Sequence, residues 1–125
     1  MTTETIIISP EEIAKYRTEL AGNSGAIAAL DVIEECEGYL EDATILLMMR
    51  ETGKEPDRAM NLNEIANQCR QVICQRQTEN ILELCNVLAP FLALNPTTFP
   101  ASLAFPVVVY VIKVFGIQRF CNQVN

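Results

Sequence analysis

Four glutamates stand in the acidic patterns of the chain that are best suited to chemistry. The segment "IEECEGYLED", residues 33–42, holds five carboxylates and no basic residue, and Glu34, Glu37 and Glu41 within it are spaced i, i+3, i+7. Glu83 belongs to a later segment, "ELCN". Carboxylates that converge from neighbouring helices can bind Mg²⁺, which can activate a water molecule for attack on a phosphate. These four glutamates are therefore the candidate metal ligands.

One family resemblance rests on these patterns. The segment "EECEGYLEDA" resembles the first acidic helix of the all-alpha nucleoside triphosphate pyrophosphohydrolases. The resemblance implies a magnesium-dependent enzyme, with an E-x-x-E pair at Glu34 and Glu37 and a second pair at Glu83 and Asn86. The chain departs from that family's pattern at Asn86, where the family has Asp, and no Lys or Arg lies near either pair in the sequence. This enzyme is the alternative interpretation of the chain.

The orientation of the acidic segment favours a different interpretation. If the segment is part of one continuous helix, its acids occupy an arc of about 160° at 100° per residue. Apolar residues such as Cys36, Leu40 and Leu47 occupy the opposite side, which predicts that they face the core while Glu34 and Asp42 face water. We therefore assign no catalytic residue and no metal ligand in the leading interpretation.

Composition and charge restrict the possible functions. The chain contains no His, which removes the commonest general base and zinc ligand. Its net charge is −7, with twelve acids and four bases in residues 1–55 and four acids and five bases in residues 56–125. The nine Lys and Arg are scattered singly, so there is no basic stripe for phosphates and we expect no nucleic-acid partner.

The spacing of apolar and capping residues predicts an all-α fold, with residues 1–125 forming a single-domain bundle of four to five helices. Ser9, Pro10 and Glu12 have the capping-box spacing, so a first helix runs over about 10–21. Asn23 or Ser24 can cap a second helix, and we predict that it continues over about 25–52 as the long central helix. Gly38 interrupts it at a tolerable cost of about 1 kcal/mol relative to Ala.

The second half of the chain predicts further helices after a loop in residues 52–61. Asn61 can cap a helix that ends near Gln77, and Thr78 can cap another that is bent at Pro90. The segment "PVVVYVIKVFG", residues 106–116, fits a helix or a strand; we prefer a helix, because a strand could pair only with "TIII" near the start of the chain. Its clean apolar run is too short to span a membrane, so we expect no membrane partner.

The cysteines predict a cytoplasmic location. There are five of them, at positions 36, 69, 74, 85 and 121, and the first residues, "MTTETIII", lack the pattern of a secretory signal. We therefore expect reduced thiols, most of them acting as small core residues.

The amount of apolar sequence determines the leading functional hypothesis. From Leu84 to the end of the chain only Lys113 and Arg119 are charged, and apolar residues lie all round the two ends of the predicted central helix. More apolar surface than one small domain can bury indicates a non-enzymatic helical protein–protein interaction module, either a homo-oligomer or a subunit of a larger assembly. The expected interface residues are Ile45, Met48, Met49, Val108, Tyr110, Ile112 and Phe115.

Overall fold

The fold is all-helical, as predicted. The computed structural model describes residues 6–53, 62–76, 78–94 and 100–122. The regular structure of these ranges consists of α1 (Pro10–Glu19), α2 (Ser24–Glu35), α3 (Leu40–Thr52), α4 (Leu62–Gln68), α5 (Arg70–Arg76), α6 (Ile81–Ala93), a 3₁₀ turn (Ala101–Leu103), α7 (Ala104–Val114) and α8 (Ile117–Cys121). The buried apolar side chains form one core cluster. Within the described ranges, no helix is long and apolar enough to cross a membrane.

The start of α1 is the predicted capping box. The Ser9 backbone N–H donates to the Glu12 carboxylate over 3.0 Å, and the Glu12 backbone N–H donates to the Ser9 hydroxyl over 3.1 Å. Of the two caps predicted for α2, Asn23 or Ser24, the structure has Asn23, whose side-chain oxygen accepts from the backbone N–H of Ala26 over 2.9 Å. These two caps are local, so the sequence alone could indicate them.

The predicted long helix over about 25–52 is wrong, because the chain divides there into α2 and α3. Glu37 has a φ of 59° and Gly38 a φ of 88°, both in the left-handed region. The Glu37 N–H donates to the Glu34 carbonyl over 3.0 Å, and the Gly38 N–H donates to the Ile33 carbonyl over 2.8 Å. This pair of hydrogen bonds is the Schellman pattern that ends helices. The acidic segment is therefore a junction between two helices.

The central element of the core is α7. It packs against α2, α3, α4, α6 and the 3₁₀ turn. Residues 104–109 and Val111 are all buried, so the segment is buried almost all round, as its Val-rich sequence requires. The preference for a helix over a strand at residues 107–115 is confirmed. Much of the apolar sequence after Leu84 thus lies in the core of this chain.

The described ranges hold more helices than the four to five predicted, because two of the predicted helices are divided and α8 was not predicted. The predicted helix ending near Gln77 consists of α4 and α5, separated at Cys69, and its expected cap, Asn61, lies outside the described residues. The cap of α6 is Asn80 and not Thr78, because the Asn80 side chain accepts from the Glu83 N–H over 2.9 Å. Pro90 lies inside α6, as predicted.

The prediction of five reduced thiols is wrong for two cysteines. Cys74 of α5 and Cys121 of α8 form a disulfide. Cys69 and Cys85 are buried thiols and Cys36 is a half-buried one, which agrees with the expected core role. The sequence could not indicate this pairing, because 47 residues separate the two bonded cysteines.

Candidate interaction surface at the junction of α2 and α3

The junction of α2 and α3 is held in place by the N-terminal segment. The Ile8 N–H donates to the Gly38 carbonyl over 2.8 Å, and the Leu40 N–H donates to the Ile6 carbonyl over 3.0 Å. Ile7 and Tyr39 face each other between these hydrogen bonds as an antiparallel bridge. Because side chains alternate across an extended segment, Ile6 and Ile8 point to one side of it and Ile7 points to the other.

This alternation buries two of the isoleucines in the core and exposes the third to solvent. Ile6 and Ile8 are 8% and 1% exposed, whereas Ile7 is 47% and Tyr39 40% exposed. Facing residues of a pair without mutual hydrogen bonds bring their side chains close together. Ile7 and Tyr39 therefore form one exposed apolar pair, and the backbone that carries them is fixed by the two hydrogen bonds on either side.

The close approach of the two segments depends on Gly38. A Cβ atom at this position would lie 2.3 Å from the Ile8 carbonyl oxygen, a backbone atom that cannot move aside alone. Any side chain at this position would therefore push the N-terminal segment away from the junction.

Three carboxylates lie close to Tyr39 in the chain: Glu37 two residues before it, and Glu41 and Asp42 just after it. Glu37 and Asp42 are exposed and Glu41 is partly exposed, and none of the three has an ion-pair partner among the described residues. Next to Tyr39 there is a shallow recess of about 240 Å³, lined by Ile6, Tyr39, Leu40, Glu41 and Asp42. We call Ile7, Tyr39, Glu37, Glu41 and Asp42 the junction surface.

The remaining acids of the segment are used in ion pairs between helices. Arg17 of α1 contacts Asp31 over 2.9 Å and Glu34 over 2.6 Å, and these two carboxylates raise the pKa of its guanidinium. Arg50 of α3 contacts Glu35 over 2.8 Å, and this hydrogen bond lowers the pKa of Glu35. These contacts tie α1 and α3 to α2.

The four candidate metal ligands are not brought together. Glu34 is paired with Arg17, and Glu83 lies on the exposed side of α6 in a cleft of about 320 Å³ lined by Asn80, Leu82, Glu83, Asn86 and Val87. Asn86 accepts a hydrogen bond of 2.7 Å from the Asn23 side chain. Within the described ranges, no group of three or more His, Cys, Asp or Glu residues is placed to hold a metal ion. The arrangement therefore does not fit the magnesium site that the resemblance implied.

The structure distributes the expected interface residues over different surroundings. Met49 is 36% exposed, whereas Val108 is 0% exposed and offers no surface. Phe115 packs edge-on against Tyr110, with ring centroids 6.2 Å apart. Met48 and Ile112 are half-buried against the core, and Ile45 is half-buried.

Sequence reasoning missed Ile7 and Tyr39 as surface residues that could bind a partner. The signal was present in the three consecutive isoleucines and in Gly38, but it depends on a contact between segments about 30 residues apart.

Comparisons of the chain with protein-family models, with curated proteins and with solved structures find no match.

Proposed function

We propose that the chain is a non-enzymatic helical protein–protein interaction module of the cytoplasm that binds a partner protein through the junction surface. The observation that carries the proposal is the exposed pair of Ile7 and Tyr39, which two backbone hydrogen bonds hold in place. Glu41 and Asp42, which have no ion-pair partner among the described residues, line a recess beside Tyr39. An aromatic anchor at the centre of a polar rim is the arrangement from which interfaces gain most of their binding energy.

The negative charge of the junction surface favours a partner with basic side chains. Contact between two copies through the same surface would bring Glu37, Glu41 and Asp42 of one copy close to the same acids of the other, and like charges in contact are costly. A partner segment with Lys or Arg beside apolar side chains would neutralise the three carboxylates and cover Ile7 and Tyr39. We therefore favour a subunit of a larger assembly over a homodimer formed at this surface.

A peptide titration tests this proposal. A synthetic amphipathic peptide of Leu and Lys, added to ¹⁵N-labelled protein, should shift the amide signals of residues 6–8 and 37–42. A peptide in which Glu replaces Lys is the matched control and should shift them far less. Added salt should weaken binding of the Lys peptide, because it screens charges near the surface. Equal shifts with both peptides, or shifts centred elsewhere, would reject the junction surface as the binding site.

A pair of variants distinguishes binding at the junction surface from non-specific binding to any exposed apolar side chain. Tyr39→Ser removes the aromatic anchor and should abolish the peptide-induced shifts. Leu94→Ser removes the most exposed large apolar side chain of the described residues, 80% exposed at the end of α6, and should leave those shifts unchanged. Loss of binding in both variants would show that exposed apolar area alone is responsible.

Light scattering after size exclusion tests the homo-oligomer expected from the sequence. If like charges prevent self-contact at the junction surface, the protein should elute at the mass of one chain, 13.9 kDa. A dimer that Tyr39→Ser converts to monomer would contradict the charge argument.

A further inference from the structure

The disulfide between Cys74 and Cys121 lies beside a surface cleft. Both cysteines are half-buried and both line a surface cleft of about 570 Å³. The cleft is also lined by Thr78, Glu79, Ile117, Gln118 and Asn122. Thiol–disulfide exchange requires a thiolate to approach one sulfur atom, so access through a cleft is the first condition for a reactive disulfide.

The other three cysteines are poor competitors for exchange. Burial raises the pKa of Cys69 to about 11 and that of Cys85 to about 12. The pKa of Cys36 is also raised, chiefly by burial and then by the charge of Asp42. Because the thiolate is the attacking species, these thiols react slowly near neutral pH. Reduction and reoxidation can therefore stay confined to Cys74 and Cys121.

The disulfide is a main attachment of α8. This helix is five residues long, which is too short to be stable alone. Its other attachments include the buried side chains of Ile117 and Phe120 and the contacts of Arg70, whose guanidinium lies 4.1 Å from the centre of the Phe120 ring and donates to the Phe120 carbonyl oxygen. The Phe120 ring also packs against that of Phe115, with centroids 5.7 Å apart. Cleavage of the disulfide would remove the covalent link to α5 and leave α8 held by non-covalent contacts.

We propose that the Cys74–Cys121 disulfide is a redox switch that a dithiol reduces and that controls the docking of α8. One thiolate of the dithiol attacks a sulfur of the disulfide, which breaks the S–S bond and forms a mixed disulfide. The second thiolate of the reductant then displaces the chain's cysteine. Two electrons and two protons pass to Cys74 and Cys121, which become thiols, and the reductant becomes a disulfide.

Reduction would let α8 separate from α5 and expose Ile117 and Phe120. Disulfides in the cytoplasm, the location proposed above, are usually transient and catalytic or redox-sensing, and an accessible bond that anchors a short helix suits a sensing role. The switch is independent of the junction surface, since it uses different residues on different helices.

Thiol labelling under native conditions tests the first half of the proposal. The folded protein is treated with dithiothreitol, alkylated with iodoacetamide and digested for mass spectrometry. We expect labels on Cys74 and Cys121, with no loss of helical circular dichroism beyond the small part that α8 contributes. Cys36→Ser should give the same result as the parent protein. Labelling of all five cysteines in denaturant without reductant would overturn the proposal, as would reduction that occurs only after unfolding.

Hydrogen exchange tests the second half. Exchange in residues 117–122 should become about tenfold faster or more on reduction, because local opening loses its covalent restraint, while exchange in α2 should change little. The variant carrying Cys74→Ser and Cys121→Ser should show the fast exchange with or without dithiothreitol. If the double variant is too unstable to study, the reduced parent protein provides the same comparison. Unchanged exchange in α8 after complete reduction would overturn the switch.

Discussion

Replacement of Gly38 by Ala tests the packing of the junction. A Cβ atom at Gly38 would lie 2.3 Å from the Ile8 carbonyl oxygen, so the segment that contains Ile8 must move away. That movement breaks the hydrogen bonds Ile8 N–H to Gly38 carbonyl and Leu40 N–H to Ile6 carbonyl, at about 1 kcal/mol each. It also exposes part of Ile8, at about 2 kcal/mol.

Gly53 provides the matched control. Its φ of 77° imposes the same left-handed conformation, but a Cβ there would meet nothing within 4 Å. Gly53→Ala should therefore cost only the conformational strain, about 1 kcal/mol. Gly38→Ala carries that strain and the loss of the N-terminal segment, which amounts to about 5 kcal/mol.

Urea unfolding followed by circular dichroism measures both variants under oxidising conditions, so that the disulfide is the same in each. The free energies of unfolding should differ by about 4 kcal/mol, which corresponds to roughly 15 °C in melting temperature for a domain of this size. Equal losses in the two variants would refute the close approach of Ile8 to Gly38.

Three further predictions concern other parts of the chain. Glu37→Gly should raise the free energy of unfolding by about 1 kcal/mol, because glycine adopts the positive φ of 59° without strain, and urea unfolding of this variant against the parent checks it. The hydrogen bond from Lys113 lowers the pKa of Glu12 below its ordinary value of 4.5. The stability that this pair contributes is therefore present above pH 4.5 and is lost as the pH falls through the lowered pKa. Lys113→Gln should accordingly lose less stability than the parent between pH 7 and pH 3, as measured by thermal melting at both values. Cys74→Ser should lower the free energy of unfolding by about 4 kcal/mol, because the unfolded chain is no longer restrained by the loop that the disulfide closes. Adding Cys121→Ser should lower it by almost nothing more, since the disulfide is already lost. A double variant markedly less stable than the single one would contradict the disulfide assignment.

Features set by neighbouring residues were predictable from the sequence. The capping box of Ser9 and Glu12 and the cap at Asn23 depend on three-residue spacings, and both are present. The expected orientation holds for Leu40 and Leu47, which are 0% and 3% exposed, and for Glu34 and Asp42, which are exposed. Cys36, which was also expected to face the core, is half-buried.

Features set by distant residues were not predictable. Gly38 alone suggests a weak point in a helix, and it becomes a break because the Ile6–Ile8 segment pairs with it. The disulfide depends on how α5 and α8 pack, which no local pattern indicates. The candidate metal site failed for the same reason, because spacing on one helix does not show whether ligands from another helix converge.

The candidate surface was missed because its parts look ordinary in the sequence. Ile7 belongs to a run of three isoleucines, and Tyr39 stands in a segment that was predicted to be one continuous helix. The break turns Tyr39 outwards, and the antiparallel pairing turns Ile7 to the same side.

The most direct test of the account is the distance between the α-protons of Ile7 and Tyr39, measured by nuclear Overhauser spectroscopy. The antiparallel bridge predicts a strong cross-peak between them, with non-helical carbon shifts at Glu37 and Gly38. Helical shifts that continue unbroken over residues 25–52, with no such cross-peak, would contradict both the junction and the surface built on it.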